Sequence, residues 1–140
     1  MKKMLMCLVL FVILLSGAEN KKKFTLCDYC SGDYVSYSNT PLNNNSIYTG
    51  FCYINDQKID WKNTIGECIT INNFEPSRMI KDLGAQVVKT EYLETGTTVI
   101  YAYSNLIPGS GEIDNENVNL QIAYYETHSV VGWPLILGGF

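Results

Sequence analysis

The sequence predicts an α+β protein, an antiparallel sheet backed by one short helix, and three of its features say so. Helical spacing occurs at one place, where Met79, Ile80 and Leu83 follow Pro76. Four segments dense in β-branched and aromatic residues come after it, joined by residues with turn chemistry. Before it lie shorter apolar stretches in a region rich in Asn, Ser, Thr and Tyr, the pattern of short strands between turns.

In chain order, Lys2 and Lys3 precede an apolar run from Met4 to Leu15, and Ser16-Gly17-Ala18 supplies small residues for a cleavage site. That arrangement is predicted to be a secretory signal peptide, residues 1–18. The run falls short of the roughly 20 apolar residues that span a bilayer, so contact with a membrane is expected through this segment alone. Residues 19–140 then form one exported domain, with a Cys-, Tyr- and Asn-rich part over 19–75 and a second part over 76–140.

Strands are predicted around Tyr34–Tyr37, Ile47–Ile54 and Cys68–Ile71. Asn43-Asn44-Asn45-Ser46 reads as a polar loop, and Asn55-Asp56-Gln57 as the reversal of a hairpin between Phe51–Ile54 and Lys58–Trp61. Pro76 suits the first position of the helix, and Gly84 can end it in a left-handed turn. Four strands follow, over Gln86–Tyr92, Thr98–Ser104, Val118–Tyr125 and Val130–Leu137, as an antiparallel meander with one face under the helix. Alternation places Val99, Tyr101 and Tyr103 on one face and Ile100, Ala102 and Ser104 on the other. The same rule sets Val118, Leu120, Ile122 and Tyr124 against Asn119, Gln121, Ala123 and Tyr125. Pro134 cannot donate to a ladder and marks an edge or a bulge.

The second part carries Gly84-Ala85-Gln86-Val87-Val88, then Tyr101-Ala102-Tyr103-Ser104 leading to Ile107-Pro108-Gly109. It continues with Val118-Asn119-Leu120-Gln121-Ile122-Ala123 and closes with Gly132-Trp133-Pro134-Leu135-Ile136. In these motifs residues 76–140 resemble the YwmB-like family of exported bacterial proteins. The resemblance implies a fold similar to the TATA-box-binding protein, a curved antiparallel sheet backed by helices, and an extracytoplasmic location. It implies no reaction and no catalytic residues. It does not extend to the stretch from Cys27 to Cys68.

Charge and cysteine usage bound the function. The chain has a net charge of −4, and two of its ten basic residues leave with the signal, so the exported part has eight basic and fourteen acidic residues, a net of −6. Nucleic acid is therefore not an expected partner, because neutralising phosphates needs clustered Lys and Arg. Minor-groove binding, which the TATA-box label invites, needs the same basic contacts and apolar wedges. Cys7 belongs to the signal, leaving Cys27, Cys30, Cys52 and Cys68 as candidates for up to two disulfides with three possible connectivities. Cys27-Asp28-Tyr29-Cys30 also has the spacing of a redox or half-zinc motif, but a turn signal and a strand follow it where a thioredoxin-like site would open a helix. Cys52 and Cys68 are too far apart in sequence to complete a four-thiolate zinc site by spacing.

No catalytic constellation is visible, and neither a metal nor a cofactor is expected. His128 stands alone in a turn, no serine has nucleophile-elbow flanks, and Glu112, Asp114 and Glu116 lack the glycine and terminal Glu of a calcium loop. Tyrosine is abundant, with ten in the chain, and combines apolar area with a polar tip. Tyr101, Tyr103 and Tyr125 are the candidate ligand-binding residues, on strands where one face is open. The expectation is a secreted or cell-envelope protein without enzymatic activity that binds a partner protein or an envelope polymer on its sheet. The alternative is a thiol redox or metal-binding protein using Cys27 and Cys30.

Overall fold

A computed structural model describes residues 24–40, 43–55 and 64–137. The predicted signal peptide and the strand at Lys58–Trp61 lie outside these residues. The chain enters through a 3-10 turn at Leu26–Asp28, then runs β1 (Gly32–Thr40), β2 (Asn43–Cys52), β3 (Thr64–Asn72), α1 (Pro76–Asp82), β4 (Gln86–Tyr92) and β5 (Thr98–Tyr103). After these come β6 (Gly111–Ile113), β7 (Glu116–Val118), β8 (Leu120–Tyr124) and β9 (His128–Trp133). Seven strands form one sheet in the order β2-β1-β3-β9-β8-β5-β4, every neighbouring pair antiparallel, while β6 and β7 form a separate hairpin. This is the predicted α+β arrangement of a mainly antiparallel sheet backed by a short helix.

The helix begins and ends where local chemistry sets its limits. Pro76 occupies the first turn, where its missing N–H costs nothing. At the other end Gly84 takes φ +54°, its N–H donates to the Lys81 carbonyl, and the N–H of Ala85 donates to that of Ile80. That pair of bonds is the glycine-terminated cap expected from the sequence. Met79 and Leu83 point into the main core, where they meet Ile69, Ala102, Leu120, Ile122 and Val131 of the sheet.

The opposite face has its own smaller cluster: Val99, Tyr101, Val118 and Ala123, flanked by Ile113 of the hairpin and by Leu135 and Ile136 of the C-terminal segment. Gly132 makes room for that segment, because a Cβ there would lie 2.9 Å from the backbone of Ile136. The Ile136 N–H donates to the Gln121 side chain at 2.9 Å, which fixes the segment across the sheet.

Four sequence expectations need correction. Asn43–Ser46 belongs to β2 and not to a loop, since β1 offers it a ladder partner. The last strand is His128–Trp133, displaced toward the N-terminus from Val130–Leu137, because Pro134 ends the pairing. Pro134 therefore marks the end of an interior strand and not an edge. Val118 does not share a face with Leu120. Asn119 turns the chain between β7 and β8, so Val118 joins Val99 and Tyr101 while Leu120 and Ile122 face the helix. The acidic stretch around Asp114 is a hairpin whose two turn residues, Asp114 and Asn115, both have positive φ.

Candidate functional site

The most constrained chemistry lies beneath the N-terminal segment. Glu67 sits in the middle of β3 with the same inward parity as Ile69, and it is 1% exposed. Its Oε1 accepts from the Thr25 hydroxyl and from the Tyr34 hydroxyl, each at 2.8 Å. Its Oε2 accepts from the Leu26 N–H at 2.8 Å and from the indole N–H of Trp133. Burial pushes the Glu67 carboxyl above the usual carboxylate range, while the four donors act in the opposite direction. Burial, reinforced by the neighbouring Glu67, likewise raises the Tyr34 phenol. A carboxylate enclosed and fully bonded in this way orients its neighbours and offers no open face to a substrate.

Three thiols share this face. The 3-10 turn, capped by the Thr25 side chain on the Cys27 N–H, points Cys27 at Cys52, and the two meet thiol to thiol. Cys30 lies beside them with its Sγ 3.5 Å from the Leu26 carbonyl, and the Cys52 Sγ reaches the Cys30 carbonyl at 3.9 Å. Burial pushes the Cys30 thiol up to about 12, with Cys52 and Glu67 adding to the effect. The hydrogen bond with Cys52, followed by burial, raises Cys27 as well. Cys68 is on the other side of the sheet, as its pairing with Val35 and Gly132 dictates, and burial there pushes its thiol up to about 11. The Cys27/Cys30 spacing thus builds a turn in which Cys27 faces Cys52 and not its own motif partner. Among the described residues, no three His, Cys, Asp or Glu side chains converge in a metal-holding arrangement.

The three candidate tyrosines lie on the sheet face away from the helix, but in different settings. Tyr101 is 9% exposed, packs in the second cluster, and donates its hydroxyl to Glu91 at 3.1 Å. Tyr103 is half-buried and lines an open groove of about 440 Å³ with Gln86, Val87, Glu116 and Asn117. Tyr125 is half-buried too and stacks on His128, ring centroids 4.4 Å apart and planes within 8°. That stack lines a separate depression of about 230 Å³ beside Phe74 and Glu75. The structure therefore does not bring the three tyrosines into one site.

Two features escape a sequence reading. Glu67 is one, and its only signal is a lone acid at inward parity with Ile69 and Ile71. The other is edge strand β2, whose exposed side chains are Ile47 (61%), Tyr48 (53%) and Phe51 (51%), continued by Tyr53 (66%) just beyond it. Phe51 and Tyr53 pack ring to ring at 5.0 Å. Alternation alone does not reveal that this strand has β1 on one side and no further strand on the other among the described residues. Comparison of this chain with models of protein families, with curated proteins and with solved structures finds no match.

Proposed function

We propose that this chain is an exported, non-enzymatic protein of the cell envelope or the secreted fraction that takes an extended segment of a partner protein along the outer edge of its sheet. The observation that carries this reading is the chemistry of β2. An edge strand offers unpaired backbone groups to a further strand, and proteins ordinarily guard such edges with charge, Pro or bulges. The opposite edge, β4, has those guards: a bulge between Val87 and Lys89, and Lys89 bonded to Glu91 at 2.7 Å and to Asp114 at 2.6 Å. β2 has no charged residue and no Pro from Asn43 to Cys52; its one bulge, at Asn45, lies at the start of the strand, and from Ile47 to Cys52 it pairs regularly with β1 and sets Ile47, Tyr48 and Phe51 in solvent. Strand addition needs that combination, backbone groups for affinity and apolar side chains on alternate faces for selectivity.

For residues 76–137 we further infer the arrangement similar to the TATA-box-binding protein that the YwmB resemblance implies. A helix followed by a four-strand antiparallel meander supports it. The use of that fold on DNA does not carry over, since the chain is acidic.

The test is an amide NMR titration of the full chain with an uncharged peptide of about ten alternating Val and Thr residues, with a central-Pro version as control. Shifts at Ile47–Tyr53 produced by the first peptide and not the second are expected, because Pro removes a ladder donor. Shifts confined to Gln86, Tyr103 and Asn117 would instead place binding in the groove on the sheet face and sink the edge reading.

A further inference from the structure

We propose that Cys27 and Cys52 form the single intrachain disulfide of the exported protein, a staple between the N-terminal turn and edge strand β2, with Cys30 and Cys68 left as thiols. Four cysteines offer six possible pairs, and geometry reduces them to this one. Cys68 occupies the face of the sheet opposite the other three, so no bridge to it closes without breaking the ladder between β1 and β3. Of the three on the helix side, Cys27 and Cys52 already meet thiol to thiol, whereas Cys30 sends its Sγ back to the Leu26 carbonyl. The two backbones are also held together independently of sulfur. The Asn55 N–H donates to the Cys27 carbonyl at 2.8 Å, and the Ile54 N–H to the Ser31 hydroxyl at 2.8 Å.

The chemistry balances with a small-molecule or protein disulfide as oxidant. One thiolate of the pair attacks the oxidant's sulfur and expels one thiol, and the second protein thiolate attacks the resulting mixed disulfide and expels the other. Cys27 and Cys52 lose two electrons and two protons, and the oxidant disulfide is reduced to two thiols. Both thiols are fully buried in the folded chain and out of reach of an oxidant, so the exchange belongs to the stage before the N-terminal turn docks over Glu67. Once closed, the bridge fixes β2 to the turn that the Glu67 carboxylate holds in place.

The experiment refolds the reduced full chain into a glutathione redox buffer, alkylates it under denaturing conditions without reductant, and maps its peptides by mass spectrometry. The expected result is one linked pair of peptides, containing Cys27 and Cys52 and lighter than their sum by two hydrogens, with Cys7, Cys30 and Cys68 alkylated. Cys68→Ser keeps that bridge, and reductant lowers the unfolding midpoint of the native protein by about 10 °C. The Cys27→Ala, Cys52→Ala double variant shows no response to reductant. A bridge from Cys27 to Cys30, any bridge to Cys7 or Cys68, or five alkylated thiols overturns the proposal. So does stoichiometric zinc that protects Cys27, Cys30 and Cys52 from alkylation.

Discussion

Glu67 and Trp133 are register partners on β3 and β9, and the Trp133 indole N–H donates to the Glu67 carboxylate across the pair. The two carboxylate oxygens are not equivalent. Oε2 receives the Trp133 and Leu26 N–H groups, which can only donate, whereas Oε1 receives the hydroxyls of Thr25 and Tyr34, which can reverse and accept. One oxygen must remain an acceptor, and the other can carry a proton or be replaced by a donor.

Glu67→Gln is therefore expected to fold with a stability within about 1 kcal/mol of wild type. Its amide oxygen takes the Oε2 position, and its NH₂ donates to Thr25 and Tyr34. Glu67→Ala leaves two obligate N–H donors buried without that acceptor and opens a void, at a cost of about 3–5 kcal/mol. Urea unfolding of the three proteins at neutral pH checks the order. Equal losses in the two variants would mean that the negative charge, and not the hydrogen-bond geometry, holds the site.

The pH dependence follows from the same carboxyl. Burial raises its pKa in the folded chain above the unfolded value of about 4.3, so from there up to the folded pKa the native state binds more protons than the unfolded state. Stability contributed by this group therefore falls as pH rises through that window and is level above it. Glu91 works in the opposite sense, its pKa lowered first by its bond to Lys89, so its contribution is lost toward acid. Glu67→Gln removes the first effect and leaves the second. Unfolding midpoints between about pH 4 and 8 should show wild type losing ground to the variant as pH rises. A gap that moves the other way would mean that the four donors outweigh burial.

The helix and the meander were legible because their signals are local. Pro76 and Gly84 mark the ends of α1 by their own backbone preferences, and the strand at Gln86–Tyr92 matches its sequence boundaries to the residue. Val118 was misplaced because a single polar pivot, Asn119, resets the alternation, and nothing in the spacing says that its side chain would bind a loop instead of facing solvent. Alternation puts Tyr101 and Tyr103 on one face, whereas the placement of Tyr125 on that same side follows from the pairing of β5 with β8, which no single strand's spacing reveals. Whether that face is covered depends on a C-terminal segment returning over Gly132, which is long-range information. Glu67 was invisible for the same reason: its donors come from residues 25, 26, 34 and 133, which are close only after the sheet has formed.

Two glycines separate steric need from conformational need. A Cβ at Gly32 would lie 2.2 Å from the Thr70 carbonyl oxygen on β3, a backbone atom that cannot swing away. Gly84 has nothing within 4 Å of its Cβ position but takes φ +54°. Gly32→Ala should cost about 3 kcal/mol by forcing β1 from β3, and Gly84→Ala about 1 kcal/mol from backbone strain alone. Chemical denaturation of both variants measures this. A larger loss at Gly84 would show that the helix end, and not the contact between β1 and β3, is the more sensitive point.

Asn119 is the second buried polar anchor, and its amide chemistry is one-directional. It is fully buried, its Oδ1 accepts from the Ser104 N–H at 2.8 Å, and its Nδ2 faces the carbonyls of Ser104, Ile107 and Gly109 at 2.8, 3.0 and 3.2 Å. The Ser104 hydroxyl extends the network to the Leu83 carbonyl at 2.6 Å, which ties the end of the helix to the same loop. Asn119→Ala removes one acceptor and the shared donor, with an expected loss of about 3 kcal/mol and faster amide exchange across residues 104–109. Asn119→Asp is expected to be worse at pH 7, because it turns a carboxylate onto three carbonyl oxygens. Burial and those carbonyls would hold the folded pKa of the new carboxyl above its unfolded value, so the deficit should shrink as pH falls and a donating O–H returns. Urea unfolding at about pH 4 and 7 distinguishes the two variants. An Asn119→Asp protein as stable as wild type at pH 7 would mean that the amide donor does not hold this loop.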